Sequence, residues 1–456
     1  MPTVSASITD FDIMDHVVII GNGVAGITAA RHIRKLSDRP ITVISAETDH
    51  FFSRTALMYI YMGQLTYEGT KPYEDDFWPK NRIALVRGRV ERLETERRRL
   101  TLGDGSEIEY GSLIIATGSR PNMFGWPGET LEGVQGLYSI QDLESMERWT
   151  AGITRAVVVG GGLIGIEMAE MLYARGIGVT FLVRERNYWD TILPPEESLM
   201  VERHIRSHGI DLRTATELRE ILSDAEGRAR AVVTTRGEEI PCGFVGLTVG
   251  VSPNIGVVSG SAVECNRGVL VDEYFRTSIP GVYAIGDCAE FRDPRADHPA
   301  IEQLWYTAKM HGETVARTIC GIPARYARGV WFNSAKFFDI EYQTYGYVWS
   351  RLRETEETLY WEHPDGRKAI RINYSKMDGR LLGMNLLGIR YRQDVCRKWV
   401  EEGADIGTVL GNLSEANFDP EFHRRYEAEV VRLYNERNPG GAVVVKRKGM
   451  LARFFS

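Results

Sequence analysis

The stretch that most constrains this chain is its first strand and loop, His16-Val17-Val18-Ile19-Ile20-Gly21-Asn22-Gly23-Val24-Ala25-Gly26. A short continuous apolar run reads as a strand buried on both faces, as in a parallel sheet. It passes directly into Gly-x-Gly-x-x-Gly and then into a helical stretch over 27–36. In such a loop Gly21 permits a tight turn, Gly23 lets a pyrophosphate approach the backbone, and Gly26 lets the helix pack close to the strand. The free N–H groups and positive dipole end of the helix then face the phosphates. The next apolar run, 41–46, ends in Glu47, where a carboxylate accepts hydrogen bonds from a ribose. Strand before, helix after and acid at the second strand end predict a dinucleotide site, against the blander alternative of a structural turn.

The pattern then repeats. Ala156-Val157-Val158-Val159 reads as a buried strand, Gly160-Gly161-Gly162-Leu163-Ile164-Gly165 as a second loop, 166–174 as a helix and 179–183 as a strand. Two such sites imply two dinucleotides, and the economical purpose is moving a hydride between them. The ribose end of the second site stays open. Arg184 and Arg186 can hold a 2′-phosphate, whereas Glu185 can accept from a free 2′-hydroxyl.

A chain of 456 residues is too long for one core. The boundaries predict a dinucleotide domain over 14–120 and 266–324, a second over 121–265, and a C-terminal α+β domain over 325–456. The class is therefore α/β, with two Rossmann-like domains and an aromatic-rich third. A net charge of -7 gives no reason to expect nucleic acid. No apolar run approaches the roughly 18 residues of a membrane span, and the first fifteen residues do not read as a secretory signal. Five scattered cysteines argue against a zinc site, an iron–sulfur cluster or a local redox disulfide. A reducing cytoplasm and no metal site are expected.

Several further stretches carry chemistry. Arg54, in Phe51-Phe52-Ser53-Arg54-Thr55-Ala56-Leu57, is expected near the cofactor phosphates or ribose with a helix over 58–62 lining the ring, against simple core packing as the alternative. Ala116-Thr117-Gly118 ends a strand in a turn, and Gly250 in Thr248-Val249-Gly250-Val251-Ser252-Pro253-Asn254 echoes it. Gly286-Asp287 follows another buried strand; a buried unpaired Asp is expensive, so Asp287 is expected to accept from a polyol hydroxyl and to cap the next turn. Gln303, Leu304 and Trp305 fall in a predicted helix, 300–320, whose N-terminus can support an anionic reduced flavin. Trp305 faces either that ring or the core. Further helices are expected at 392–402 and 420–434. The mixed basic and apolar tail, 442–456, is expected to dock, with contact to an anionic membrane surface as the alternative.

Taken together, these residues resemble the FAD-dependent pyridine nucleotide-disulfide oxidoreductase superfamily over about 16–390. Phe52-Ser53-Arg54-Thr55-Ala56-Leu57 is similar to a stretch of the branch without a redox disulfide. That branch includes NADH:rubredoxin reductases, ferredoxin reductases of oxygenase systems, the FAD/NAD module of nitrite reductases and apoptosis-inducing factor. The resemblance implies FAD held by Gly21, Gly23, Gly26, Glu47, Arg54 and Asp287, and NAD(P)H held by Gly160, Gly162 and Gly165. The candidate set also takes in Val24, Ala25, Ala116, Thr117, Gly118, Leu163, Ile164, Arg184, Glu185, Gly250, Gly286, Gln303, Leu304 and Trp305. Glu167, as the catalytic candidate, is implied to lie near the nicotinamide. Two departures matter. No cysteine stands in the first helix or near Arg54, which excludes thiol relay chemistry there. Relatives with a Lys shortly after the Arg motif can pair it with the carboxylate at 167; here Met58 and Tyr59 stand instead.

The expected function is hydride transfer from NAD(P)H to FAD, with electrons passed to a small carrier protein such as rubredoxin or ferredoxin. The alternatives are a quinone reductase at a membrane surface and a redox-sensing interaction protein. A homodimer through the aromatic third domain is a further expectation, and the acceptor is not written in the sequence.

Overall fold

The computed structural model describes residues 14–295, 298–418 and 424–446. The chain divides into two compact units. The first takes the chain up to Ile153, Ser223–Ala229 and Gly243–Arg328; the second takes Thr154–Leu222, Arg230–Cys242 and the chain from Gly329.

The first unit is built on a five-stranded parallel sheet in the order Val282–Ala284, Ser112–Ile115, Val17–Ile20, Ile41–Ser45, Ile83–Arg87. Val17–Ile20 sits centrally and is buried throughout, which is why it reads as an uninterrupted apolar run. Helix Val24–Leu36 packs on helix Trp305–Ile319. Gly312 makes that approach possible, because a Cβ there would lie 2.6 Å from the Ala25 carbonyl oxygen. A small antiparallel sheet, Val90–Glu94, Arg99–Leu102 and Glu107–Glu109, turns at Gly103-Asp104-Gly105. The two echoing segments meet: Ser119–Pro121 pairs antiparallel with Val251–Pro253, Ser252 opposite Arg120.

In the second unit, Arg155–Val159, Gly178–Leu182 and Asp211–Arg213 form parallel neighbours, with helices Leu163–Ala174 and Pro195–Ser207 between them in the chain. The same unit holds an antiparallel sheet in the order Phe332–Phe337, Ile340–Gly346, Leu381–Leu387, Ala369–Ser375, Glu356–Glu362. Its core of Tyr345, Ile372, Met384 and Leu386 is shared with Leu410 and Val430 from the C-terminal helices. This is the α/β architecture expected, with two Rossmann-like parallel sheets and a C-terminal α+β portion.

Two helix boundaries are corrected. The helix placed at 300–320 begins only at Trp305, because Leu304 is extended, with φ −138° and ψ 146°. The helix placed at 420–434 is Glu427–Arg437; 424–426 are not helical and 419–423 lie outside the described residues. Of the tail, 442–446 docks, the Lys446 N–H donating to the Gly411 carbonyl at 2.7 Å. Residues 447–456, and with them most of the basic stretch, lie outside the described residues. Among the described residues no helix is long and apolar enough to cross a membrane.

Candidate functional site

In the first loop the three glycines do three different jobs. Gly21 has φ +114°, and a Cβ there would lie 2.1 Å from the Ala116 carbonyl oxygen. Gly26 faces the Gly21 carbonyl just as closely, whereas a Cβ on Gly23 would meet nothing within 4 Å. The middle position is therefore an open cradle at a helix N-terminus. Gly23 is the N-cap of Val24–Leu36 and no side chain caps that end, leaving first-turn N–H groups aimed into the cradle. Gly286 closes on the same helix, its Cβ position 3.0 Å from the Ala25 Cβ.

Beside the loop lies a connected polar cluster. Arg54 donates from Nη1 to Glu47 Oε1 at 2.9 Å and from Nη2 to Oε2 at 2.5 Å. It also donates to the Tyr138 carbonyl and lies over the Tyr138 ring, 4.4 Å from its centroid. Ile140 N–H gives Glu47 Oε1 a further bond of 3.0 Å. That contact sets a carboxylate at the N-terminus of helix Ile140–Thr150, where the helix dipole favours an anion. A capping box of Ser139 and Asp142 fixes this helix start, and Asp142 also accepts from Tyr138 N–H. Tyr138 Oη accepts from Ser119 N–H at 2.9 Å. Ser119 Oγ donates to Asp287 Oδ2 at 3.0 Å and accepts from Gln303 Nε2 at 2.9 Å.

Burial raises the Asp287 carboxyl, opposed by Ser119 and Arg54. For Arg54, burial opposes the charge, but Glu47 outweighs it and holds the guanidinium protonated. Asp287 lies within the short helical turn Gly286–Cys288, whose N-cap, Ile285, makes no side-chain cap bond. Thr117 Oγ1 donates to the Asn254 carbonyl at 2.5 Å, and the Asn254 N–H donates to the Gly118 carbonyl at 2.8 Å. Gly250 directly precedes strand Val251–Pro253, its carbonyl accepting from the Asn122 N–H at 3.1 Å, and is not part of the polar cluster. Trp305 is 39 % exposed, edge-on to Tyr306, so it is not a core residue.

The second loop repeats the scheme. Gly160 has φ +113°, and Gly162 is the uncapped N-cap of Leu163–Ala174, open where a Cβ would stand. Leu163 and Ile164 form the first turn, and the Gly165 N–H donates to the Gly162 carbonyl. Arg184 Nη2 lies 3.0 Å from Glu185 Oε1, the arginine largely exposed and the glutamate less so. On the same helix, burial pushes the Glu167 carboxyl up to about 7, with Lys336 opposing the rise and Glu170 adding to it. Lys336 pairs with Glu170 Oε1 at 2.7 Å.

Residues 15–312 match the model of the pyridine nucleotide-disulphide oxidoreductase family. The chain belongs to that family. It is 32 % identical to the ferredoxin reductase subunit of the 5,5′-dehydrodivanillate O-demethylase of Sphingobium sp., over 72 % of this chain and 81 % of that one. A ferredoxin reductase structure from Rhodopseudomonas palustris matches with a TM-score of 0.74 and 26 % identity, covering 82 % of this chain and 91 % of that one. A NAD-dependent persulfide reductase from A. fulgidus matches with a TM-score of 0.80 and 25 % identity, covering 93 % and 84 %.

The chain is thus an FAD-dependent NAD(P)H oxidoreductase, with FAD and NAD(P)H as its cofactors. The two open glycine cradles, each at an uncapped helix start, fit dinucleotides. Three residues of this pyridine nucleotide-disulphide oxidoreductase were not visible in its motifs. Ser119 directly follows Thr117-Gly118 and could have been included on that ground. Tyr138 has no sequence signal. Lys336 comes from the C-terminal sheet, so the cation acting on Glu167 is not sought near Met58 and Tyr59 but far along the chain.

Proposed function

We propose that this oxidoreductase collects a hydride from NAD(P)H and delivers the electrons to a small redox carrier protein of the ferredoxin or rubredoxin kind. The bound cofactors supply the conversion of a hydride into single electrons, and the protein supplies binding, alignment and electrostatics. Segments 14–120 and 266–324 hold FAD through Gly21, Gly23, Gly26, Glu47, Arg54, Ser119, Asp287 and Gln303. Segment 121–265 holds NAD(P)H through Gly160, Gly162, Gly165 and the Arg184–Glu185 pair, with Glu167 beside the nicotinamide. Residues 325–456 form a C-terminal α+β domain, and five free thiols suit a reducing cytoplasm.

The observation that carries the choice of acceptor is the state of Cys288. It follows Asp287 directly, yet it is fully buried, with Sγ 3.4 Å from the Ile115 carbonyl oxygen and 3.3 Å from that of Ile285. Burial pushes its thiol up, away from the thiolate that disulfide or persulfide chemistry requires. Electrons leaving without a thiol relay favour a one-electron carrier, in keeping with the names of the relatives. Anaerobic mixing of the FAD-loaded protein with NADH or NADPH should bleach the flavin band, and oxidised ferredoxin or rubredoxin should restore it. Restoration by disulfides or persulfides, with neither carrier effective, would overturn the reading.

A further inference from the structure

Helix Pro195–Ser207 and the residue that caps it carry His204 and His208, four apart and so on one face. Opposite them is Asp339, in the turn between Phe332–Phe337 and Ile340–Gly346. His204 Nε2 lies 2.6 Å from Asp339 Oδ1 and His208 Nε2 lies 3.9 Å from it. One ligand atom from each of the three falls within 4.8 Å of the others. All three residues belong to the second unit.

The surroundings set these groups as ligands. His208 Nδ1 is 3.0 Å from the His204 carbonyl oxygen. A carbonyl only accepts, so Nδ1 carries the proton and the neutral ring presents the lone pair of Nε2 toward Asp339. A carbonyl behind a ring nitrogen is the arrangement that orients a metal-bound imidazole. The His208 ring stacks on Phe338 at 4.3 Å and 18°, and Tyr173 stands edge-on to both. Arg367 pairs with the other Asp339 oxygen, leaving Oδ1 turned to the histidines. The helix itself is anchored on the antiparallel sheet, because the buried Glu197 accepts from Arg371 Nε at 2.8 Å and Asn385 Nδ2 at 2.7 Å.

We propose that His204, His208 and Asp339 form a binding site for a borderline divalent transition-metal ion such as Zn²⁺. Two imidazoles and one carboxylate match that class and not the all-oxygen sets of calcium or magnesium. Ligands about 2.1 Å from a tetrahedral ion stand roughly 3.4 Å apart, between the two distances observed. Since all three ligand atoms already lie within 4.8 Å of one another, side-chain adjustments on the order of 1 Å admit the ion. His204 exchanges its Nε2 proton for the ion and carries the proton on Nδ1 instead, with water completing the shell. The ion clips the helix to the hairpin turn and takes no part in hydride transfer.

The test uses the full-length, FAD-loaded protein, stripped with chelator and titrated with Zn²⁺ by calorimetry and with Co²⁺ by its visible absorption. Wild type should take up one ion with a Co²⁺ d–d band, and Zn²⁺ should raise its melting temperature by mass action. Asp339→Asn and His208→Gln, both at partly or fully exposed positions, should each weaken binding about tenfold or more while keeping the flavin spectrum. No uptake by wild type, or equal affinity in wild type and both variants, would overturn the site.

Discussion

Glu47 and Arg54 hold each other in a two-pronged ion pair, Nη1 on Oε1 and Nη2 on Oε2. The planar guanidinium is matched to the carboxylate, and Ile140 N–H adds a third bond to the same acid. The pair presets both side chains, so cofactor binding has less freedom to remove. Arg54→Ala should weaken FAD retention roughly ten- to a hundredfold, from the roughly 1.5–3 kcal/mol of a hydrogen bond to a charged group. Arg54→Lys should recover little, because an ammonium cannot bridge both oxygens. Flavin released through a desalting column and refitted by fluorescence titration reads this directly; full recovery by lysine would show that charge alone matters.

Glu167 gives a pH signature. Its carboxyl sits at about 7 against an ordinary 4.5. Between those values the folded state keeps a proton that the unfolded state has lost, so stability falls as pH rises through the window. Glu167→Gln is neutral throughout. Relative to wild type it should gain stability from pH 4.5 to above pH 7, by roughly 3 kcal/mol at most. Melting temperatures of both proteins at pH 5 and pH 8 check the sign; a gap that narrows toward pH 8 contradicts the assignment.

A second buried carboxylate behaves oppositely. Glu302 accepts from Arg328 Nη1 at 2.8 Å and Tyr326 Oη at 2.6 Å, with His311 Nε2 at 3.3 Å. Burial works to raise its pKa, but these donors outweigh it and hold the carboxyl below its usual range. Its contribution is present above the ordinary carboxylate value and is lost as pH falls through the depressed one. His311 in turn accepts the Gly286 N–H on Nδ1, next to Asp287. Glu302→Gln should destabilise by roughly 3–5 kcal/mol, because the Arg328 charge stays buried without that carboxylate. Tyr326→Phe should cost about 1.5–3 kcal/mol. Denaturant midpoints followed by flavin release rank the two; a larger loss for Tyr326→Phe would contradict this order.

The Arg184–Glu185 pair bears on nucleotide choice. Glu185 occupies Arg184 in the structure, so Glu185→Gln should free the arginine for a 2′-phosphate. The ratio of kcat/KM for NADPH to that for NADH should rise about tenfold, a change of roughly 1.4 kcal/mol. An unchanged ratio would place the discrimination elsewhere.

What was legible in the sequence was local. Both glycine loops, their flanking strands and helices and the acid at 47 lie within a few dozen residues, so their physics is written in order along the chain. Glu47 and Arg54 were each assigned to the cofactor, but their bond to one another was not foreseen, because a turn brings them together. Tyr138, Ser119 and Lys336 join their clusters through tertiary contacts. Trp305 was placed inside a helix that it in fact begins, since residues 300–304 are irregular, with Leu304 extended. His204 and Asp339 stand 135 residues apart; a search by cysteine spacing has no means of seeing them.

The pairing of Ser119–Pro121 with Val251–Pro253 has one more consequence. Chain that departs at Pro121 returns opposite it at Val251, about 5 Å away across one ladder. Everything between is a parcel with adjoining ends, and the entropy of closing so long a loop is met at that seam. Two cuts one ladder apart are enough to exchange the segment between Pro121 and Val251 with a relative's while leaving the strands around the first glycine loop continuous.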